Sequence, residues 1–197
     1  MDLYTGGYFE TNAFLLPEGI LIDAPEGAAA WLRKKGVHLK TLLLTHGHID
    51  HLWDAAEIEQ EHQCQVLFHH ETLPMAQDGD FFKKFGMPWS HRALTGGEVI
   101  PGDAPSTING ISFHCAYVPG HCPGSLCFIR HDSKEIFGGD VLFAGGVGRW
   151  DLPGGDRDLL ISGIHQKLYT LPDDYKVHPG HGPSTTIGTE RRSNPYT

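Results

Sequence analysis

The reading of this chain turns on Thr45-His46-Gly47-His48-Ile49-Asp50-His51, which follows directly on the apolar run Leu42-Leu43-Leu44. Three leucines in a row predict a short strand buried on both faces. Residues 50–63 have helical composition, with Leu52, Ala55, Ala56 and Ile58 as inner positions, so the histidines sit where a strand hands over to a helix. His46 and His48 leave the strand end two residues apart and share a side, whereas Asp50 and His51 start the helix and point elsewhere. That divergence suits two adjacent metal ions better than one. A lone histidine in such a loop is ordinarily a surface residue, but four potential ligands within six residues ask for another explanation.

Outward from this junction, short apolar stretches alternate with Gly and Pro punctuation, with no linker, repeat or low-complexity segment. Residues 12–16 and 20–22 flank Pro17-Glu18-Gly19 as a hairpin, residues 27–35 read as an Ala-rich helix stopped by Gly36, and residues 65–68 return to strand. Asn109-Gly110 between alternating residues predicts a second hairpin. Strands follow at 125–130 and 135–137, then a helix at 157–168 and a last strand at 176–178. Residues 71–98 are harder: Phe81, Phe82, Phe85, Met87 and Trp89 suggest a short helix packed on the core, with a substrate-covering lid as the alternative. Hairpins early and late, with helices between, predict an α/β (α+β) chain of two mixed sheets covered by helices.

Composition sets the outer limits. A chain of 197 residues, 40% hydrophobic and 20% charged, is globular and long enough for one substantial core, which predicts a single domain over residues 1–197. Its net charge of −9 disfavours nucleic acid as a ligand. No stretch approaches the roughly 18 apolar residues of a membrane span, and the first residues lack the basic and apolar regions of a secretory signal. The expectation is a soluble, cytoplasmic protein whose Cys64, Cys115, Cys122 and Cys127 are free thiols. The 14 histidines are the compositional outlier.

Three further candidate ligands lie in loops after predicted strands. His121 stands in Pro119-Gly120-His121-Cys122-Pro123-Gly124-Ser125, Asp140 in Phe137-Gly138-Gly139-Asp140-Val141, and His181 in His178-Pro179-Gly180-His181-Gly182. Glycines let such loops approach closely and aim one side chain at a fixed point. Taken with the His-x-His-x-Asp-His pattern of residues 46–51, they make the chain resemble the metallo-β-lactamase superfamily, and most closely its compact glyoxalase II-like (hydroxyacylglutathione hydrolase-like) branch, over essentially its whole length.

The resemblance implies a four-layer αββα sandwich with metals at one edge of two mixed β-sheets flanked by helices. It implies His46, His48 and His121 on one ion, Asp50, His51 and His181 on a second, and Asp140 bridging. Five imidazoles and two carboxylates suit two divalent ions, Zn²⁺ first, with Fe or Mn also accommodated. The implied activity is hydrolysis of a small thioester by a metal-bridging hydroxide, at a centre of formal charge about +1. Asp50 is then placed to orient the water or pass on its proton. Many β-lactamases of the superfamily lack the bridging Asp, so Asp140 favours ester and thioester hydrolases.

Full-length glyoxalase II holds much of its glutathione with a C-terminal helical domain, for which the 16 residues after His181 are too few. Where the compact relatives commonly carry Gly-Arg-Thr-Asp or Gly-Arg-Ser-Asp, this chain has Gly148-Arg149-Trp150-Asp151, so Trp150 is expected to alter the pocket. Arg149 either pairs a substrate carboxylate or contacts Asp151. His69, His70, His114, His165 and His178 read as packing or surface residues, and Cys122 as a buried inert thiol. The alternatives are a mononuclear iron persulfide dioxygenase held by His46, His121 and Asp140, a lactonase or promiscuous β-lactamase of the same fold, and a non-catalytic or electron-transfer scaffold, which the complete ligand set argues against. Oligomeric state is not legible.

Overall fold

Strands that are apolar at every position belong to sheets covered on both faces. A computed structural model describes residues 1–197. β1 (Asp2–Gly6), β2 (Thr11–Leu16), β3 (Ile20–Ile22), β4 (Thr41–Leu43), β5 (Gln65–Phe68) and β6 (Glu98–Val99) form one mixed sheet in that order, antiparallel as far as β3 and parallel from β3 onward. The second sheet contains β7 (Ala104–Ile108), β8 (Ile111–Tyr117), β9 (Leu126–Arg130) and β10 (Glu135–Gly139). After the small ribbon of β11 (Leu142–Phe143) and β12 (Gly146–Val147), it is completed by β13 (Lys176–Pro179) and β14 (Thr185–Thr186). Its order is β14-β13-β10-β9-β8-β7, and only β10 and β13 pair in parallel.

The first-sheet helices are α1 (Ala28–Lys35), α2 (Ile49–Leu52), α3 (Ala55–His62) and α4 (Leu73–Ala76). A single helix was expected over 50–63, and the structure divides it into α2 and α3. The Asp54 N–H donates to the Ala24 carbonyl at 2.9 Å and its carboxylate accepts from the Ala29 N–H at 3.0 Å, so the chain turns at the junction to reach the start of α1. α5 (Arg157–Gly163) is capped by the Asp156 carboxylate, continues as a π-helical turn at Ile164–Leu168, and is followed near the end of the chain by α6 (Ile187–Ser193). β1, the ribbon and α6 were not anticipated from the sequence. No helix is long and apolar enough to cross a membrane.

Strand alternation assigns each side chain to a layer. Ile20, Ile22 and Leu43 point between the sheets and meet Phe113, Leu126, Phe128 and Phe137 from the other side. Their neighbours Leu21, Leu42 and Leu44 point outward beneath Ala28, Leu32, Ala55 and Ile58 of α1 and α3. Across the molecule Cys127, Ile129, Ile136 and Val177 are covered by Leu160, Ile164, Leu168 and Ile187. Each fully buried Leu, Ile or Phe contributes about 1.5–3 kcal/mol against exposure. The outcome is the αββα order of layers. All four cysteines are buried and unpaired.

Candidate metal centre

Every candidate ligand lies where a strand of one sheet or the other ends. His46 and His48 occupy the turn after β4, Asp50 and His51 the first turn of α2, His121 the β8–β9 loop, and Asp140 and His181 the residues just past β10 and β13. The ligand atoms of His46, His48 and His121 fall within 4.8 Å of one another, as do those of Asp50, His51 and His181, and those of His46, His51 and Asp140. Asp140 stands between the groups: Oδ1 is 3.2 Å from His51 Nε2, and Oδ2 is 3.4 Å from His181 Nε2 and 3.5 Å from His121 Nε2.

The imidazoles are held from outside. His46 Nδ1–H donates to Thr45 Oγ1 at 3.0 Å, His51 to Asp23 Oδ2 at 2.8 Å, His121 to the Arg149 carbonyl at 2.7 Å and His181 to the Phe9 carbonyl at 3.0 Å. Occupying Nδ1 in this way fixes the tautomer and turns each Nε2 inward. Asp23 was missed in the sequence, as were Thr45 and Phe9. Asp23 directly follows β3 at φ 61, a left-handed conformation that Asp tolerates, and also accepts from the Thr45 N–H and hydroxyl, each at 2.8 Å. The only signal available was a carboxylate directly after the apolar run of β3.

Glycine permits two of the approaches. A Cβ at Gly180 would strike the Asp140 carboxylate and the His51 ring, and Gly120, at φ 122, passes against the backbone of Asp156 and Leu160. The N-terminal strand fastens the last loop. Asn12 N–H donates to the Gly180 carbonyl at 2.7 Å, and its side-chain amide donates to the carbonyls of Pro179 and Gly182.

The residues fit a divalent-metal centre. Nε2 of His46 and Nε2 of His121 are buried without a hydrogen-bond partner. Each such orphan costs about 1–3 kcal/mol. They face common ground, and imidazole nitrogen with carboxylate oxygen is the donor set of Zn²⁺ and of first-row divalent ions near it.

Charge divides the cluster. Burial holds His46 well below the ordinary imidazole range, takes His48 to about 3 and lowers His121. Burial opposes protonation of His51 and His181 too, but Asp140 and Asp50, joined at His51 by Asp23, outweigh it: His51 rises well above its usual value and His181 to about 10. Asp50, despite burial, is drawn down to about 2 by His51, His181 and the Thr11 hydroxyl. One end therefore offers neutral imidazoles, and the other holds carboxylates whose charge protons or cations must balance.

Above the cluster opens a cavity of about 670 Å³. Asp50, His48, His121, Asp140 and His181 face it, and apolar side chains form its walls. Phe82, Met87 and Trp89 are among those walls, so the segment expected to pack on the core, where Phe82 meets Ile49, Met75 and Cys122, also lines the cavity. Arg149 lines the cavity while forked onto Asp151, with Nε and Nη2 each 2.7 Å from a carboxylate oxygen. Trp150, expected to alter the pocket, does not line it: its ring meets Tyr196 edge-on at 6.5 Å and lies under Arg157. His69 and His178 are buried away from the cluster, and burial pushes the Cys122 thiol up to about 12.

A buried imidazole and carboxylate cluster at the edge of two packed sheets has the form of a metal centre. The chain belongs to the metallo-beta-lactamase superfamily, whose domain profile matches residues 6–181. It is 39% identical over 203 residues to the hydroxyacylglutathione hydrolase GloC of Haemophilus influenzae, covering 95% of this chain and 88% of that one. Among solved structures, TTHA1623 in a di-iron-bound form superposes with TM-score 0.88 at 33% identity over the full length of both chains. The B3 metallo-beta-lactamase BLEG-1 superposes with TM-score 0.88 at 29% identity, covering 99% of this chain and 98% of that one.

Proposed function

We propose that the protein is a binuclear metal-dependent hydrolase of small thioesters of the hydroxyacylglutathione type, acting in the cytoplasm. The observation that carries this reading is Asp140, whose two oxygens meet histidines of both ligand groups, 3.2 Å from His51 and 3.5 Å from His121. His46, His48 and His121 would hold one ion, Asp50, His51 and His181 the other, with Asp140 shared. Zinc suits these donors, and so does iron, which TTHA1623 binds as a pair. Held by these residues, divalent ions would supply a water of near-neutral pKa and a Lewis acid for a carbonyl oxygen.

The chain's own residues do the rest. The Asp23, Thr45, Arg149 and Phe9 contacts hold the imidazoles in the ligating tautomer. Thr11, His51 and His181 all meet Asp50 at Oδ2, which leaves Oδ1 to orient water or pass on its proton. In the overall step the acyl C–S bond breaks and an acyl C–O bond to the water oxygen forms. The thiol leaves with one proton, and the carboxylic acid gives up the other.

Metal quantification on protein purified without chelators, paired with turnover of acylglutathiones, lactones and a β-lactam, tests this. Two ions per chain and thioester turnover are expected, with Asp50→Asn lowering kcat by about 100-fold. One iron with oxygen uptake on glutathione persulfide overturns the reading. An Asp50→Asn protein with both metals and full activity removes Asp50 from proton transfer.

A further inference from the structure

The walls above the ligand cluster are hydrocarbon. Phe9, Phe82, Met87, Trp89, Phe143 and Leu152 line the cavity; its one guanidinium, Arg149, already gives two N–H groups to Asp151, and the imidazoles of His48, His121 and His181 at its floor are candidate metal ligands. The Phe9 ring meets Trp89 edge-on at 5.3 Å. Phe82 stands edge-on to His48 at 6.4 Å and Phe143 to His181 at 6.2 Å, so apolar surface reaches down to the candidate ligands themselves. Phe9, Met87 and Trp89 keep part of their surface exposed in a chain of net charge −9.

A thioester carbonyl brought to the cluster has two arms to place. The glutathionyl arm carries an ammonium and two carboxylates, which lose hydration against such walls and find no free partner there. The acyl arm loses nothing if it is hydrocarbon. We infer that the cavity selects substrates by an apolar acyl group, aromatic or branched aliphatic, seated against Phe9, Phe82 and Trp89, while the charged thiol arm leaves through the mouth into water. This rests on the thioester-hydrolase reading above but parts from its hydroxyacyl member: a hydroxyl on the acyl chain is a handicap.

The test uses the metal-loaded protein and glutathione thioesters of acetate, lactate, butyrate, isovalerate and phenylacetate. kcat/KM is expected to rise about fourfold per added methylene until the wall is filled. Phenylacetyl should exceed lactoyl. In Trp89→Ala and Phe9→Ala, the phenylacetyl-to-acetyl ratio should fall about tenfold with metal content unchanged. Phe9→Ala keeps the carbonyl that holds His181. A flat acyl series, or a preference for lactoyl, overturns the inference.

Calorimetric binding of the free acids tests the wall without turnover. Phenylacetate binding more tightly than acetate or lactate, with the advantage lost in Trp89→Ala, supports the wall even if no thioester is cleaved; that result fails the hydrolase reading alone. Equal binding of the three acids overturns the wall.

Discussion

Asp23 gives one carboxylate oxygen to the Thr45 N–H and the other to His51 Nδ1–H, so a residue that meets no ligand atom of the cluster sets the direction of one that does. Asp23→Asn keeps the shape and tolerates the left-handed backbone but removes the anion. Metal affinity is expected to fall about 10- to 100-fold, read by competition with a chromophoric chelator. The titration of the cluster has a definite sign. His51 and His181 are both raised above the ordinary imidazole value, so the metal-free protein carries protons there at neutral pH, and a metal entering that end must expel them. Affinity at that end therefore rises with pH, about tenfold per unit for each proton displaced, while His46, His48 and His121 compete with no proton. Chelator competition at pH 6, 7 and 8, with proton release measured in buffers of different ionisation enthalpy, checks both number and sign. The ligands were legible in the sequence because four of them crowd into residues 46–51. Asp23 was not, because an acidic residue after a strand is ordinary turn chemistry until the fold brings His51 beside it.

The elements that aim the ligands depend on tight passages of backbone. Gly120, just before His121, has φ 122, and an added Cβ would strike the Asp156 carbonyl and the Leu160 backbone at the start of α5. Gly120→Ala is expected to cost about 2–4 kcal/mol, read as a fall in the urea midpoint, and to lower metal content by moving the His121 loop. Hairpins and buried strands were legible because their signals are local: Asn109-Gly110 carries its own turn geometry, and Leu42-Leu43-Leu44 its own burial. The break between α2 and α3 was not, since it is made by Ala24 and Ala29, far along the chain from Asp54. The segment around Phe82 and Trp89 resisted for a different reason. The same apolar residues can fill a core or line a cavity, and composition does not say which.

At the scale of the whole molecule each ligand group draws on both sheets: His46, His48, Asp50 and His51 follow β4, whereas His121, Asp140 and His181 follow strands of the second sheet. Without metal, Nε2 of His46 and of His121 would stay buried without a partner, and protons on His51 and His181 would be left to balance Asp50 and Asp140. Metal at about 100 times its Kd stabilises by about 2.7 kcal/mol. For a chain of this size chelation is therefore expected to lower Tm by about 5–11 °C for each ion removed, read by scanning calorimetry with and without chelator. The layer order was implied by the family resemblance and not singled out by the strand and helix pattern, because strands apolar at every position do not say which face meets which layer and the docking of one sheet's edge on the other is a relation between distant segments.

Asn12 extends that relation. Its backbone and side-chain amides stitch the first sheet to the carbonyls on either side of His181. An ion held from both sheets would be released sooner where that stitch is loosened, so a labelled ion should leave Asn12→Ala protein sooner than the native chain, even where the two hold metal equally tightly at equilibrium.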